Sequence, residues 1–267
     1  MFGSSGWVTL FIVSQLLISF VFMWHRLTTD YSFTKRFVDL FTPLIDKYPI
    51  FMPLNEETIR ALAEVILPFT TPTLLITGIL VMGVFILRIR KKEKKPIRKI
   101  TVYQILQLIM IGIGINLLLT ICMELVPKSL LETHSLFTTS LAKKDSFLIT
   151  LLTVGVVGPI TEEIIFRYGV QTNLSALNVK LAIIMQAIMF GMMHGNIVQS
   201  AYGIILGLLF GYCFYQTKNL LIPIILHIAI NSSSVLILHL SNSYWDFLIL
   251  LFVAGCLGYI VKIVKRI

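Results

Sequence analysis

Glutamate, histidine and asparagine side chains interrupt otherwise apolar stretches in the second half of this 267-residue chain. Ionisable side chains are costly inside a lipid bilayer, so finding them there is by default a hypothesis of function. A carboxylate or an imidazole can transfer protons, and an amide can hydrogen-bond a polar group. The six candidates are Glu162, Glu163, Arg167, His194, His227 and Asn231. Because all six fall in one apolar half of the chain, we expect several of them to serve one site.

The two adjacent glutamates are predicted to have different roles. Neighbours on a helix point about 100° apart, so Glu162 and Glu163 are not expected to address one point. Glu163 and Arg167 are four residues apart on one helix face and are predicted to form a supporting ion pair. Such pairs are often purely structural. Glu162 is then the unpaired carboxylate that is available for proton transfer.

The two histidines and the asparagine are expected to meet Glu162 at one depth. His227 and Asn231 are four residues apart, which predicts an imidazole and an amide one turn apart on the same helix face. Glu162 and His194 lie at the same depth in the membrane if a helical hairpin bends midway between them, near position 178. Segment 173–178, Asn-Leu-Ser-Ala-Leu-Asn, has the residues of such a bend. The sequence thus predicts that these side chains converge in the cytoplasmic half of the membrane.

Composition excludes an ordinary water-soluble globule. The chain is 57% apolar and 13% charged, with a mean hydropathy of +0.89, whereas soluble domains average about 45–50% apolar and about 25% charged. The net charge of +9 comes from bases that flank apolar stretches, so no nucleic-acid partner is expected. Cys122, Cys213 and Cys256 lack metal-ligand spacing and are interpreted as packing residues.

Eight stretches are apolar and long enough for membrane-spanning helices, which need about 20 residues. The first ends in Trp24-His25-Arg26 without a cleavage site and is predicted to be an uncleaved anchor. Loop 88–99 carries eight bases and one acid, so the positive-inside rule places it and both termini in the cytoplasm. Residues 25–64 are predicted to include an amphipathic helix at the outer interface. The predicted spans run near 7–24, 65–87, 101–126, 146–166, 180–194, 198–216, 220–239 and 245–263. The predicted fold class is therefore all-α, a single polytopic membrane domain over 1–267.

Three short motifs on successive predicted spans resemble a known family. Residues 162–167 match E-E-x-x-x-R, residues 190–194 match F-x-x-x-H, and residues 227–231 match H-x-x-x-N. In this order they resemble the CPBP family of intramembrane proteases, which includes CAAX proteases and bacteriocin-processing (Abi) enzymes. The resemblance covers residues 146–240. Each motif alone is weak, but three in register inside a polytopic chain are specific.

The resemblance implies a peptidase that cuts at or inside the membrane. Glu162 and His194 would activate water, while His227 and Asn231 would stabilise the oxyanion. Glu162, His194 and His227 would be the ligands if Zn²⁺ is bound, with water as the fourth ligand. Since the usual H-E-x-x-H helix is absent, metal-free Glu/His chemistry is favoured, and both possibilities stay open.

The expected substrate is a membrane-associated peptide or a lipidated protein. Processing of a CAAX protein, a bacteriocin or a signal peptide would each fit the resemblance. High Ile, Phe and Lys usage favours a bacterium, and hence the bacterial plasma membrane.

Two other classes of function remain as alternatives. A non-catalytic scaffold or immunity factor would bind a peptide or partner helix, and a small-solute transporter would also need intramembrane polar residues. No inverted repeat supports the transporter. The glycine stripe Gly203, Gly207 and Gly211 allows close helix approach, either inside the chain or in a homodimer.

Overall fold

The computed structural model describes residues 4–47, 56–91, 99–128, 130–131, 146–194 and 196–240. Every regular element in these ranges is a helix, which confirms the predicted all-α class. We number the helices along the chain as α1 (Ser4–Thr29), α2 (Tyr31–Lys47), α3 (Glu56–Lys91), α4 (Val102–Met123), α5 (Phe147–Leu174), α6 (Val179–Met192), α7 (Ile197–Thr217) and α8 (Leu221–Leu240).

Six helices of the described ranges are long and apolar enough to cross a membrane: α1, α3, α4, α5, α7 and α8. The helix predicted over 180–194 is present as α6, but its 14 residues reach about 21 Å at about 1.5 Å per residue. That is shorter than the ~30 Å of a bilayer's hydrocarbon core. The predicted span 245–263, Cys256 and most of loop 88–99 lie outside the described residues. The count of eight spans and the cytoplasmic termini therefore stay predictions.

Helix α5 is not a regular α-helix. Two π-helical stretches, Leu151–Val157 and Ile164–Gln171, flank the short α-helical piece Gly158–Glu163. In a π-helix each backbone N–H bonds to the carbonyl five residues earlier, instead of four as in an α-helix. Such stretches are frequent at functional sites. The piece between them carries both glutamates.

Asparagine caps define the bend after α5 and the start of α7. The Asn178 side chain accepts a hydrogen bond from the Leu181 backbone N–H at 3.0 Å and starts α6. Asn196 accepts from the Gln199 N–H at 2.8 Å and starts α7. Side-chain acceptors of this kind satisfy backbone donors that have no partner inside the helix. The bend predicted around 173–178 is thereby confirmed.

Two apolar clusters meet around the candidate residues. The first joins α1, α3, α5 and α6 through buried residues that include Trp7, Val81, Phe166 and Phe190. The second joins α7 and α8 through Leu206, Phe210, Leu226 and Ile230. Phe190 belongs to the first cluster and Phe210 to the second, and the Arg167 guanidinium of α5 contacts both rings.

The glycine stripe of α7 packs against α6 of the same chain. A Cβ built on Gly207 would lie 2.8 Å from Ala187 Cα, and one built on Gly203 would lie 3.1 Å from Gly191 Cα. One built on Gly211 would collide with Gln186 Nε2. All three positions are buried, so the stripe serves internal packing.

Helix α2 accounts for the first part of the predicted outer segment 25–64. Its Phe33 is buried and meets the Phe69 ring edge-on at 5.9 Å, while Tyr31 is largely exposed. This division into a buried and an exposed side fits an amphipathic helix. Its location at the outer interface stays a prediction.

Candidate active site

His227 of α8 lies between the two adjacent glutamates of α5. Its Nδ1 is 2.9 Å from Glu163 Oε1, and its Nε2 is 3.7 Å from Glu162 Oε2. Both glutamates therefore meet the same side chain, which their spacing did not predict, although they reach different nitrogens of its ring. An imidazole presents nitrogens on two edges of its ring, so two carboxylates that point apart can approach one histidine from different sides.

The Glu163 contact fixes which nitrogen of His227 faces Glu162. Glu163 is fully buried and is paired with Arg167, so its carboxylate acts as a hydrogen-bond acceptor. His227 Nδ1 therefore carries the proton and donates it to Glu163. In the neutral imidazole the other nitrogen, Nε2, then holds a lone pair. That lone pair faces Glu162 at a distance beyond the usual ~3.2 Å limit of an N–H···O hydrogen bond.

Glu163 and Arg167 form a completely buried ion pair. Arg167 Nε lies 2.9 Å from Glu163 Oε2, and both side chains have no exposed surface. The pair is close but not aligned as a hydrogen bond, and Arg167 Nη1 and Nη2 have no hydrogen-bond partner among the described residues. The guanidinium instead lies 4.6 Å from the Phe190 ring centre and 5.3 Å from that of Phe210. Attraction to the two ring faces adds to the ionic contact.

His194 follows the end of α6 and is held by the backbone of that helix. Its Nδ1 is 3.0 Å from the Phe190 carbonyl oxygen. A carbonyl oxygen only accepts, so Nδ1 donates and the Nε2 of the neutral ring carries the lone pair. The His194 and His227 rings lie 5.2 and 5.6 Å from the Phe190 ring centre. Phe190 thus holds both imidazoles in one part of the bundle, each with Nδ1 engaged.

The Glu162 carboxylate is partly exposed on the protein surface and partly buried. Its side chain is 23% exposed, whereas that of Glu163 has no exposed surface. The inner oxygen, Oε2, is buried and has no hydrogen-bond donor within the described ranges. An unpaired carboxylate oxygen beside an imidazole lone pair can accept a proton from a water molecule placed between them.

Asn231 is turned toward the first π-helical stretch. Its Nδ2 donates to the Val154 carbonyl at 3.2 Å, and the next residue, Ser232, donates to the Gly155 carbonyl at 3.2 Å. In the described part of the chain no hydrogen bond joins Asn231 to Glu162, His194 or His227. One of the two amide protons is thus engaged with α5, and the second can be donated elsewhere.

The predicted metal ligands do not form a ready-made metal site. Across the described residues, no group of three or more His, Cys, Asp or Glu side chains is arranged to hold a metal ion. His227 and Glu162 approach each other, but His194 does not complete a three-ligand set with them. The donor set in this geometry therefore does not fit the four-coordinate zinc centre of a hydrolase.

Sequence reasoning missed the aromatic residues and the π-helical stretches. Phe190 is the first residue of the F-x-x-x-H motif, and its spacing of four from His194 is a signal for the ring contact. Phe210, tilted against His227 at 5.0 Å between ring centres, has no comparable signal. The residue types in 151–157 and 164–171 likewise give no signal for the change from α-helix to π-helix.

One comparison with known proteins bears on this site. The family model described as type II CAAX prenyl endopeptidase Rce1-like matches residues 144–233. We call residues 144–233, which are similar to this family, the Rce1-like segment. The match confirms the resemblance carried by the three motifs. No curated protein matches the chain, and neither does any solved structure.

The Rce1-like segment coincides with the site. It contains all of α5, α6 and α7 and most of α8, and it includes the four residues predicted to act on substrate, Glu162, His194, His227 and Asn231. The apolar helices and this segment together support an integral membrane protein.

Proposed function

We propose that the protein is a glutamate-dependent intramembrane endopeptidase that hydrolyses a peptide bond in a membrane-associated or lipidated substrate. The observation that supports this most is the pair formed by Glu162 Oε2 and His227 Nε2. Within the Rce1-like segment, a buried carboxylate oxygen that has no donor in the described part of the chain faces an imidazole nitrogen at 3.7 Å.

The reaction assigns each proton to a named group. Glu162 takes a proton from water while the water oxygen bonds to the scissile carbonyl carbon, which gives a tetrahedral oxyanion. Collapse of the oxyanion breaks the C–N bond, and Glu162 returns the proton to the leaving amine. The products are a carboxylic acid and an amine, and Glu162 is regenerated as a carboxylate. His194, with Nε2 carrying a lone pair, is a second acceptor for the water proton.

His227 must be protonated on Nε2 before it can donate to the oxyanion. Its Nδ1 proton is committed to Glu163, so in the neutral ring only the Nε2 lone pair faces the reaction. Asn231 supplies an amide proton for the same oxyanion. Preorganised donors of this type typically contribute about 3–4 kcal/mol each.

For the substrate we propose a chain end of CAAX type, prenylated or otherwise lipidated. The support is the family name, which specifies prenyl endopeptidases, and the location of the site among membrane-length helices. Bacteriocin maturation, peptide immunity and a bacterial plasma membrane remain proposals of the same class.

The deciding experiment compares membrane proteomes of cells that express wild type or Glu162→Gln at matched levels. Terminal labelling and mass spectrometry are expected to find new peptide termini only with wild type. Glu124→Gln is the matched control, since Glu124 ends α4 and is exposed. It should cleave like wild type. Identical termini in all samples, with the biological effect retained by Glu162→Gln, would favour the scaffold or immunity factor instead.

We further propose that catalysis needs no bound metal, because His194 does not join Glu162 and His227 in a three-ligand set. Elemental analysis of purified protein should then find zinc well below one ion per chain. Cleavage should survive prolonged treatment with a membrane-permeable chelator. Stoichiometric zinc that is lost together with activity, and restored with it, would overturn this proposal.

A further inference from the structure

Hydrogen-bond donors are scarce around Glu162. The Nδ1 protons of both histidines are committed, one to the Phe190 carbonyl and one to Glu163. Asn231 donates one amide proton to the Val154 carbonyl oxygen. The Arg167 guanidinium is fully buried between Phe190 and Phe210. A tetrahedral oxyanion needs donors, so the site as described so far supplies more bases than donors.

Tyr202 of α7 brings a hydroxyl group to this region. Its ring packs on the cluster of Leu206, Phe210, Leu226 and Ile230, in which the Phe210 ring covers His227. Through Phe210 this cluster borders His227, whose Nε2 faces Glu162, and the Glu162 carboxylate lies near enough to act electrostatically on the Tyr202 phenol. The neighbouring position, Gly203, lies against His194, because a Cβ built there would be 3.6 Å from His194 Nδ1.

The start of α7 orients the Tyr202 hydroxyl. Asn196 caps the helix and also donates from Nδ2 to Gln199 Oε1, so the Gln199 side chain is held in place. A side-chain hydrogen bond joins Gln199 to Tyr202. Since Gln199 Oε1 already accepts from Asn196, its NH₂ group is the end that faces the phenol. A phenol oxygen that accepts on one side directs its own O–H to the other.

We propose that Tyr202 is a further catalytic residue whose hydroxyl donates a hydrogen bond to the oxyanion of the tetrahedral intermediate. This inference rests on the proposed peptidase function. The Tyr202 O–H acts together with Asn231 and with His227 once the latter is protonated. The donor remains a neutral phenol throughout, so no proton is transferred and the atom balance of the hydrolysis is unchanged. Asn196 and Gln199 are positioning residues that aim the hydroxyl.

The test is Tyr202→Phe in the full chain, reconstituted in lipid vesicles. The probe is an internally quenched peptide that ends in a farnesylated C-a-a-X sequence. We expect kcat to fall by about 100-fold, the usual loss for one oxyanion donor, while KM changes less than about threefold. Tyr212→Phe is the matched control. Tyr212 lies on the same helix, is 55% exposed and accepts one amide hydrogen bond, from Gln216. It should retain wild-type kcat.

Each outcome separates this proposal from the function on which it rests. If wild type shows no Glu162-dependent cleavage of the probe or of membrane proteins, both proposals fail. If wild type cleaves and Tyr202→Phe has wild-type kcat, Tyr202 is not a donor. If size-exclusion chromatography shows that Tyr202→Phe does not fold, 3-fluorotyrosine is placed at position 202 instead. This analogue keeps the hydroxyl and makes it a stronger donor, so a raised kcat is expected, and an unaltered kcat would refute the proposal.

Discussion

Glu162 and Glu163 are neighbours in sequence but occupy different electrostatic surroundings. Glu163 is fully buried and contacts Arg167 and His227 at 2.9 Å each. Glu162 keeps 23% of its side chain exposed, and among the described residues its inner oxygen has no hydrogen-bond donor. Glu163 therefore neutralises charge and orients the imidazole, while Glu162 is accessible to water and substrate.

Breaking the buried pair on one side should be more damaging than removing both charges. Glu163→Gln or Arg167→Met alone leaves an uncompensated buried charge, which typically costs about 3–5 kcal/mol. The double variant Glu163→Gln with Arg167→Met removes both charges and should recover most of that loss. Unfolding of purified protein in mixed micelles provides the free energies for a double-mutant cycle. Additive losses would contradict a coupled pair.

Activity of the same variants checks the orienting role of Glu163. The double variant should be folded yet cleave poorly, because a neutral glutamine orients the His227 ring less firmly than the charged Glu163 carboxylate does. Glu124→Gln serves again as the carboxylate control. A folded double variant with wild-type kcat would show that Glu163 does not influence the reaction.

The two π-helical stretches explain how α5 and α8 are joined. The first stretch presents the Val154 and Gly155 carbonyls to Asn231 and Ser232, which fixes the α8 face that carries His227. The second stretch, Ile164–Gln171, contains Arg167 and begins directly after Glu163. Irregular backbone in a membrane is tolerated where it is buried in protein, and here it surrounds the glutamates.

The junction of α1 and α2 should respond to acid. The Asp30 carboxylate accepts from Ser32 Oγ at 2.7 Å, the Phe33 N–H at 3.0 Å and Arg26 Nη2 at 3.0 Å. These donors, Ser32 foremost, hold the pKa of Asp30 below its usual 3.8. A lowered folded-state pKa stabilises the junction above the unfolded pKa, and this is lost as pH falls through the folded value. Hydrogen exchange at the Phe33 amide should therefore gain a pH-dependent opening below about pH 4.

Asp30→Asn is the control for that measurement. Asparagine keeps a capping oxygen but does not titrate, so the additional opening of the Phe33 amide at low pH should vanish. If Asp30→Asn retains the same acid response, another group is responsible.

Much of the bundle was predictable because length and hydropathy determine which segments can be helices in a membrane. The bend before α6 was predictable from the asparagine that caps it. The meeting of both glutamates at His227 was not, because a regular rotation of 100° per residue separates them and side-chain reach is not visible in spacing. The first π-helical stretch was not predictable either, since its Val154 and Gly155 carbonyls accept hydrogen bonds from α8 side chains 77 residues away.

The two apolar clusters divide the bundle into two parts, which meet at a polar centre formed by Glu163, Arg167 and His227. One cluster ties α1 and α3 to α5 and α6, and the other ties α7 to α8. The Arg167 guanidinium contacts a ring from each cluster, Phe190 and Phe210. The polar centre is thus also where the two halves are held together, so the stability and the chemistry of this protein depend on the same few side chains.

The short helix α6 implies hydrophobic mismatch with the surrounding lipid. A helix of about 21 Å leaves several ångströms of acyl chain uncovered unless the bilayer thins or water penetrates beside it. His194 lies just past the end of α6, where such a defect would reach the site. Hydrolysis consumes water, which the hydrocarbon core does not supply. For the proposed peptidase, a dimple in the membrane at α6 would therefore be the route by which water reaches the site.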